Sequence, residues 1–303
     1  MARKSGRKAG PKPGNDRAER KAAEQAEREQ RDAAARPFAG LAFERDLVAL
    51  REFVPAATAP LTLTGHDREV LLATVLPGAS AALARTEGGA DRGFAAVQTT
   101  ATSGDLATDL ARAIAFAATA EPGTSLESVL DAPEGPDLAE LLDVSVPLEI
   151  TVHDSFGWWF AQDEPPAPEV AAALEQANAA IMPTARLDAD DLVAAWWVDA
   201  GERAHLRWVR GEDEDDVMAA MARVHAAGAL TLGEGSRFAG SFRAHGLLVP
   251  VFDLDREQHA QEWVEPTRAL GRALDEALAE TGALTAEQRR SRDGLRTRQV
   301  TIR

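Results

Sequence analysis

Residues 237–245 (RFAGSFRAH) contain the side chains whose types and spacing best suit anion binding. As a strand, the segment places two guanidinium groups, a hydroxyl and an imidazole on one face, since side chains alternate between faces. These groups belong to Arg237, Ser241, Arg243 and His245. Arginine binds carboxylates and phosphates bidentately, so the row predicts a ligand or partner site, with Glu234 nearby. In the alternative interpretation this is a solvated sheet face whose arginines pair with acidic residues.

His153 is the remaining candidate for this site. It lies in VPLEITVHD (146–154), which begins with the same Val-Pro step as VPVFDLDRE (249–257) beside the arginine row. If these segments occupy equivalent places in a duplicated fold, His153 lies near the row. The sequence His-Asp-Ser at 153–155 does not predict a catalytic triad, because neighbouring side chains on a strand point apart and triad members usually come from separate elements.

Composition excludes several kinds of chemistry. The chain has 303 residues with no Cys and no Tyr, and its four Lys residues all lie among the first 21. Thiol catalysis, cysteine-ligated metals and tyrosine nucleophiles are therefore impossible. No lysine remains in the predicted globular part for a P-loop or a Schiff base. The histidines show no metal-binding spacing, so we expect no metal and no cofactor, and no catalytic residue is identified.

The formal net charge of −16 is divided unevenly along the chain. Residues 1–36 carry a net charge of +5, residues 285–303 carry +4, and the intervening 37–284 carry −25. We expect 1–36 to be a disordered or helical basic arm, because 16–36 contains only Ala and polar residues and has no apolar stripe to bury. The basic ends could contact RNA, the ribosome or acidic proteins, or could simply offset the acidic body.

Hydrophobic periodicity predicts an α+β fold with mixed or antiparallel sheets and packed helices. The Pro-rich stretch 165–168 separates a first half, 37–164, from a second half, 165–284, and an Arg-rich segment follows at 285–303. Predicted helices span 41–53, 104–120, 168–181, 213–227 and 256–281, and another begins at Thr285; predicted strands span 61–64, 69–76, 94–99, 146–152, 192–198, 204–210, 236–245 and 247–254. In each half a helix, a strand pair, an acid-started helix and a Val-Pro strand follow one another, which indicates a possible divergent repeat.

The chain contains no run of about 18 apolar residues, and its charged N-terminus is not followed by the apolar segment of a secretory signal. We therefore expect no membrane insertion and a cytoplasmic location.

Several segments resemble an uncharacterised actinobacterial family, a domain of unknown function. They include RDLVALREFVPAAT (45–58), LEQANAAIMPT (174–184), LGEGSRFAGSFRAHGLLVPVFDL (232–254) and LTAEQRRSRDGLRTRQVT (284–301), and the resemblance covers nearly everything after Pro37. Some members of the family resemble proteins with an N-terminal SEC-C zinc motif and are labelled preprotein translocase SecA, and others bear topoisomerase-like labels. The arm of this chain has no Cys or His, so the zinc role transfers to no residue here.

Two functions remain open after these exclusions. An acidic body, basic ends and no assembled catalytic motif favour a noncatalytic binding or adaptor protein. The alternative is an enzyme that acts on an anionic small molecule through Arg, His and carboxylate groups. A deep pocket that gathers Arg237, Arg243, His245 and a carboxylate favours the enzyme, and a flat surface favours the adaptor.

Overall fold

The computed structural model describes residues 36–161, 167–189 and 191–301. The predicted basic arm lies outside the described residues except for Arg36. The Arg36 side chain is paired with Glu44 at 2.6 Å and donates to the Gly211 carbonyl at 2.7 Å. Arg36, the last residue of the predicted arm, therefore contacts the folded body. None of the helices in the described ranges has the length and apolarity needed to cross a membrane.

The predicted α+β class is confirmed. Seven α-helices occur in the described part of the chain: α1 (Glu44–Glu52), α2 (Leu106–Thr119), α3 (Leu138–Leu141), α4 (Pro168–Ala179), α5 (Glu214–Ala226), α6 (Val264–Ala279) and α7 (Ala286–Arg296). The strands there are β1 (Ala57–Leu61), β2 (Glu69–Ala73), β3 (Ala82–Glu87), β4 (Ala90–Ala96), β5 (Thr124–Leu126), β6 (Thr151–Val152), β7 (Thr184–Arg186), β8 (Ala195–Asp199), β9 (Ala204–Trp208), β10 (Ser236–Ala244), β11 (Leu247–Leu254) and β12 (Gln299–Thr301).

The strands form two mixed sheets of six strands each. The first has the order β5-β3-β4-β2-β1-β6, and the second has the order β12-β10-β11-β9-β8-β7. Each contains one parallel pair, β2 with β4 and β10 with β12, while the other neighbours are antiparallel. Strands β6 and β7 therefore each lie at an edge of their sheet.

Helix α1 is buried over most of its surface. Four consecutive residues, 47–50, are each at most 1% exposed, and four successive positions cover more than a full helical turn. One apolar cluster joins this helix to Leu72 of the first sheet and to Trp196 and Val249 of the second. The opposite face of the second sheet packs against α5 and α6. Helix α1 thus connects the two sheets.

Helix starts agree with the sequence patterns. The side chain of Asp105 accepts hydrogen bonds from the first backbone N–H groups of α2, and Asp213 does the same for α5. Thr285 and Gln288 form a capping box at α7, where the sequence predicted that a helix begins. These caps satisfy donors that have no partner inside the helix. The observed helix α6 is shorter than the predicted helix 256–281, because a 3₁₀ turn at Ala260–Trp263 precedes it.

The central strands of the two sheets share an order but differ in connection. Numbered along each half, both read third-fourth-second-first: β3-β4-β2-β1 and β10-β11-β9-β8. However, β2 and β4 are parallel whereas β9 and β11 are antiparallel. Helix α2 follows β4, while α5 lies between β9 and β10. The internal repeat and the boundaries of the two halves stay predictions.

Candidate functional site

The predicted row on β10 is divided by a β-bulge. Phe238 lies opposite Phe252, but Gly240 lies opposite Val251, so Ala239 is an extra residue in the ladder. One inserted residue exchanges the faces of all later side chains. Arg237 therefore lies on the α1 side of the sheet, and Arg243 lies on the α5 side. The expectation that they share one face is wrong.

Each of these arginines has a carboxylate partner. Arg237 donates to Asp253 at 2.5 Å, and Asp253 also lies 3.6 Å from Arg203 and 3.2 Å from Nδ1 of His205. Arg243 pairs with Glu214 at the start of α5, and this hydrogen bond raises the pKa of Arg243. The arrangement matches the interpretation in which the arginines pair with acidic residues of the body.

His245 and Glu234 are separated from these pairs. His245 has a φ of 48° and occupies the turn between β10 and β11 with Gly246. Its Nε2 lies 2.6 Å from a Glu52 carboxylate oxygen, which joins this turn to α1. Glu234 is exposed in the turn before β10. The row predicted from the sequence is therefore not a single site, and the binding role of these residues stays a prediction.

His153, in contrast, lines a cleft of about 400 Å³ between the edges of the two sheets. Strand β6 of the first sheet and strand β7 of the second sheet supply most of its wall, together with the segment that precedes β7. The residues that line it are Pro55, Val152, His153, Asp154, Ile181, Met182, Pro183, Thr184, Ala185 and Arg186. We take this cleft, the edge cleft, as the candidate functional site.

The orientation of His153 is set by several contacts. Its backbone N–H donates to the Ala56 carbonyl at 2.8 Å, which continues the β6 ladder. Its Nε2 is hydrogen-bonded to the hydroxyl of Thr58 at 2.8 Å, and its ring lies 5.5 Å from that of Trp158. Burial lowers the pKa of His153, and the charge of Asp154 opposes this only in part. The imidazole is therefore neutral at pH 7.

Arg186 is the cation of the edge cleft, and it is already paired. It donates to Asp46 of α1 at 3.2 Å, and the Asp46 side chain is only 4% exposed. Burial raises the pKa of Asp46, while Arg186 opposes this rise. The second carboxylate oxygen of Asp46 is buried and has no hydrogen-bond partner among the described residues. Arg186 therefore brings little net positive charge to the cleft.

The apolar wall of the edge cleft is formed by residues that come directly after α4 in the chain. Ile181 and Met182 line the cleft, and Met182 is 39% exposed. In α4 itself, no described side chain is buried. Exposure of a methionine beside a cleft is typical of a binding surface.

The sequence indicated His153 but missed Asp46, Thr58, Met182 and Arg186. The only local signal for the wall was the Met-Pro step at 182–183, which directly follows the predicted helix 168–181. Asp46 and Arg186 are 140 positions apart in the chain, so no spacing rule could join them.

Residues 37–303 match the model of a family described as Family of unknown function (DUF5926). The chain belongs to this family. The match includes both sheets and every residue of the edge cleft. Searches of the curated proteins and of the solved structures each returned no match. The resemblance to an uncharacterised family is thus confirmed, and the DUF5926 description carries no biochemical role.

Proposed function

We propose that this DUF5926 protein is a noncatalytic binding protein and that its ligand occupies the edge cleft. The observation that carries the proposal is the cleft itself, whose 400 Å³ falls in the range of about 300–1,000 Å³ typical of ligand sites. Its walls combine apolar side chains such as Ile181 and Met182 with a few polar groups, as binding sites commonly do.

The polar groups favour binding over catalysis. Arg186 is paired with buried Asp46, and His153 is hydrogen-bonded to Thr58, which is only 9% exposed. Groups held in this way orient a ligand without a large entropy cost on binding. The hydroxyl of Thr58 is poorly placed as a nucleophile, because a nucleophile must reach the substrate.

A ligand screen with a pair of matched variants tests the proposal. Full-length protein is screened by thermal shift against a metabolite library and a peptide library, and the hits are repeated with Met182→Arg and Val300→Arg. Val300 is 64% exposed on β12, at the opposite edge of the second sheet. We expect Met182→Arg to abolish binding and Val300→Arg to leave it unchanged. Hits that survive Met182→Arg place the ligand elsewhere and refute the proposal.

One observation favours an enzyme as the second candidate. His153 has a lowered pKa and shares the cleft with Arg186, and a neutral imidazole beside a guanidinium can act as a general base on an anionic substrate. Incubation of each confirmed small-molecule hit with the protein, followed by mass spectrometry, detects conversion. Conversion that disappears in His153→Gln, with binding retained, establishes the enzyme and refutes the noncatalytic proposal.

A further inference from the structure

The edge cleft contains backbone groups of β7 that the second sheet does not use. The Asp199 N–H donates to the Pro183 carbonyl at 2.8 Å, and the Leu187 N–H donates to the Ala195 carbonyl at 2.9 Å. In an antiparallel ladder every second residue bonds to the same neighbour. Thr184 and Arg186 therefore direct their N–H and C=O groups away from β8, towards the free edge.

The facing strand β6 has the same property. His153 bonds to Ala56 through its N–H, so Val152 directs its backbone groups away from β1. In the part of the chain that the structure describes, β6 and β7 each have a strand neighbour on one side only. Val152, Thr184 and Arg186 all line the cleft. Two free sheet edges thus border one cavity, and free edges are templates for another strand.

The charge around the cleft narrows the kind of strand that fits. The 73 residues 113–185 contain thirteen Asp/Glu and no Lys or Arg. All the lining residues except Pro55 and Arg186 come from this stretch. Asp154 is exposed, whereas Arg186 is neutralised by Asp46. Among the described lining residues, Asp154 is therefore the charged group without an oppositely charged partner, and a cationic group of the ligand complements it.

We propose that an extended, basic segment of a partner polypeptide binds in the edge cleft by adding a strand to β7. This inference rests on the proposed function, because it names the ligand class of the same cleft. Backbone hydrogen bonds to Thr184 and Arg186 provide the affinity. Alternate side chains of the segment face the apolar wall at Met182, and a Lys or Arg lies near Asp154.

Peptides that differ only in backbone N-methylation or in charge test whether the ligand pairs with β7 as an added strand. Fluorescence anisotropy measures binding of a labelled ten-residue peptide of alternating Val and Lys to the full-length protein. The same peptide with alternate amide nitrogens methylated loses the donors needed for strand pairing. We expect the methylated peptide to bind at least about tenfold more weakly than the unmethylated one. We expect the Val/Glu peptide not to bind. Equal affinity of the methylated peptide overturns strand addition.

Variants at the edge test where the peptide binds. Thr184→Pro removes an N–H that points to the cleft and leaves the β8 ladder intact, because proline is tolerated where the missing N–H faces outward. Thr184→Val keeps that N–H and serves as the matched control. We expect about a tenfold loss for Thr184→Pro only. Asp154→Asn should weaken binding about threefold and reduce its salt dependence, while Glu149→Gln, an exposed acid outside the cleft lining, should not. Unchanged affinity in both Thr184→Pro and Asp154→Asn overturns the proposal.

Two outcomes separate this inference from the proposed function. Small molecules that bind in a Met182-dependent manner, with no peptide binding, retain the proposed function and overturn strand addition. A synthetic peptide of residues 1–14 (MARKSGRKAGPKPG) is tested as a competitor. If it binds more tightly than the Val/Lys peptide, the occupant is the chain's own basic N-terminus and the partner segment is overturned.

Discussion

The two sheets of this protein each contain a contact that is stabilised by a different means. The first is bordered by the long stretch 113–185, which has no Lys or Arg, and its strand β4 packs closely on α2 at Gly93. The second sheet, apart from the first two residues of β7, belongs to residues 186–303, which hold sixteen Arg and twenty-one Asp/Glu. There, buried Asp253 has two arginines and the imidazole of His205 as neighbours on the sheet face. Close packing makes the contact at Gly93 sensitive to added volume, whereas charge makes the contacts of Asp253 sensitive to salt and, through His205, to pH.

The largest expected effect is that of Gly93→Ala in the first sheet. A Cβ there would lie 2.2 Å from the Ala117 carbonyl oxygen, which belongs to the backbone of α2 and cannot move alone. We expect a loss of about 3 kcal/mol in the free energy of unfolding. Urea denaturation measures this loss, with Gly135→Ala as the control, since a Cβ at Gly135 meets nothing within 4 Å. Equal stability of the two variants would show that α2 is not tightly packed.

The next effect is that of Asp253→Asn in the second sheet. The change removes the charge that faces Arg237, Arg203 and His205, and we expect a loss of about 1.5 kcal/mol. Urea denaturation at low salt and at about 1 M salt should show a smaller loss at high salt. Asp131→Asn, an exposed acid in the cation-free stretch, should stay within about 0.5 kcal/mol of wild type. A loss that does not change with salt contradicts an electrostatic role.

A smaller effect is expected in the dependence of the free energy of unfolding on pH. Burial lowers the pKa of His205, with Arg207 adding to this and Asp253 opposing it, and burial also lowers the pKa of His153. Just below pH 6.5 the unfolded chain therefore binds more protons than the folded one. The stability that these two histidines contribute is therefore complete above pH 6.5. It is lost as the pH falls through their pKa values in the folded state. Unfolding at pH 7.5, 6.5 and 5.5 should show a shallower decline for His205→Gln and for His153→Gln than for wild type. A decline that neither variant alters assigns the dependence to other groups.

The smallest effect is that of Arg243→Ala. The Arg243 side chain is 47% exposed in its pair with Glu214, and exposed pairs contribute little because solvent screens them. We expect a change below about 0.5 kcal/mol, measured by the same urea titration. A loss as large as that of Asp253→Asn would mean that exposure does not distinguish the ion pairs of the second sheet.

The parts of the fold that the sequence predicted well depend on near neighbours. The caps at Asp105, Asp213 and Thr285 involve bonds over two or three residues, so the pattern contains the whole interaction. The strands β10 and β11 were also predicted, because alternation is local, but His245 was expected to end β10 and lies in the turn with Gly246 instead. Strand β3 was missed, since its Ala, Thr and charged residues do not show the apolar pattern of a strand.

The arginine row was predicted with the wrong geometry because the bulge does not depend on β10 alone. A Cβ at Gly240, directly after the bulged residue, would lie 2.5 Å from the Arg298 carbonyl oxygen. The chain near β12 therefore packs against β10 at this point. A contact between residues 58 positions apart leaves no periodic signal near 240.

The sequence by itself determined the α+β class, the helix starts, the segregation of charge and the kinds of chemistry that are excluded, because each follows from composition or from interactions between close neighbours. Only the tertiary structure decided that Arg237 and Arg243 lie on opposite faces, and that His153, Met182 and Arg186 share a cleft. Those relations depend on which strands become edges and how the two sheets meet around α1, and these are properties of long-range packing.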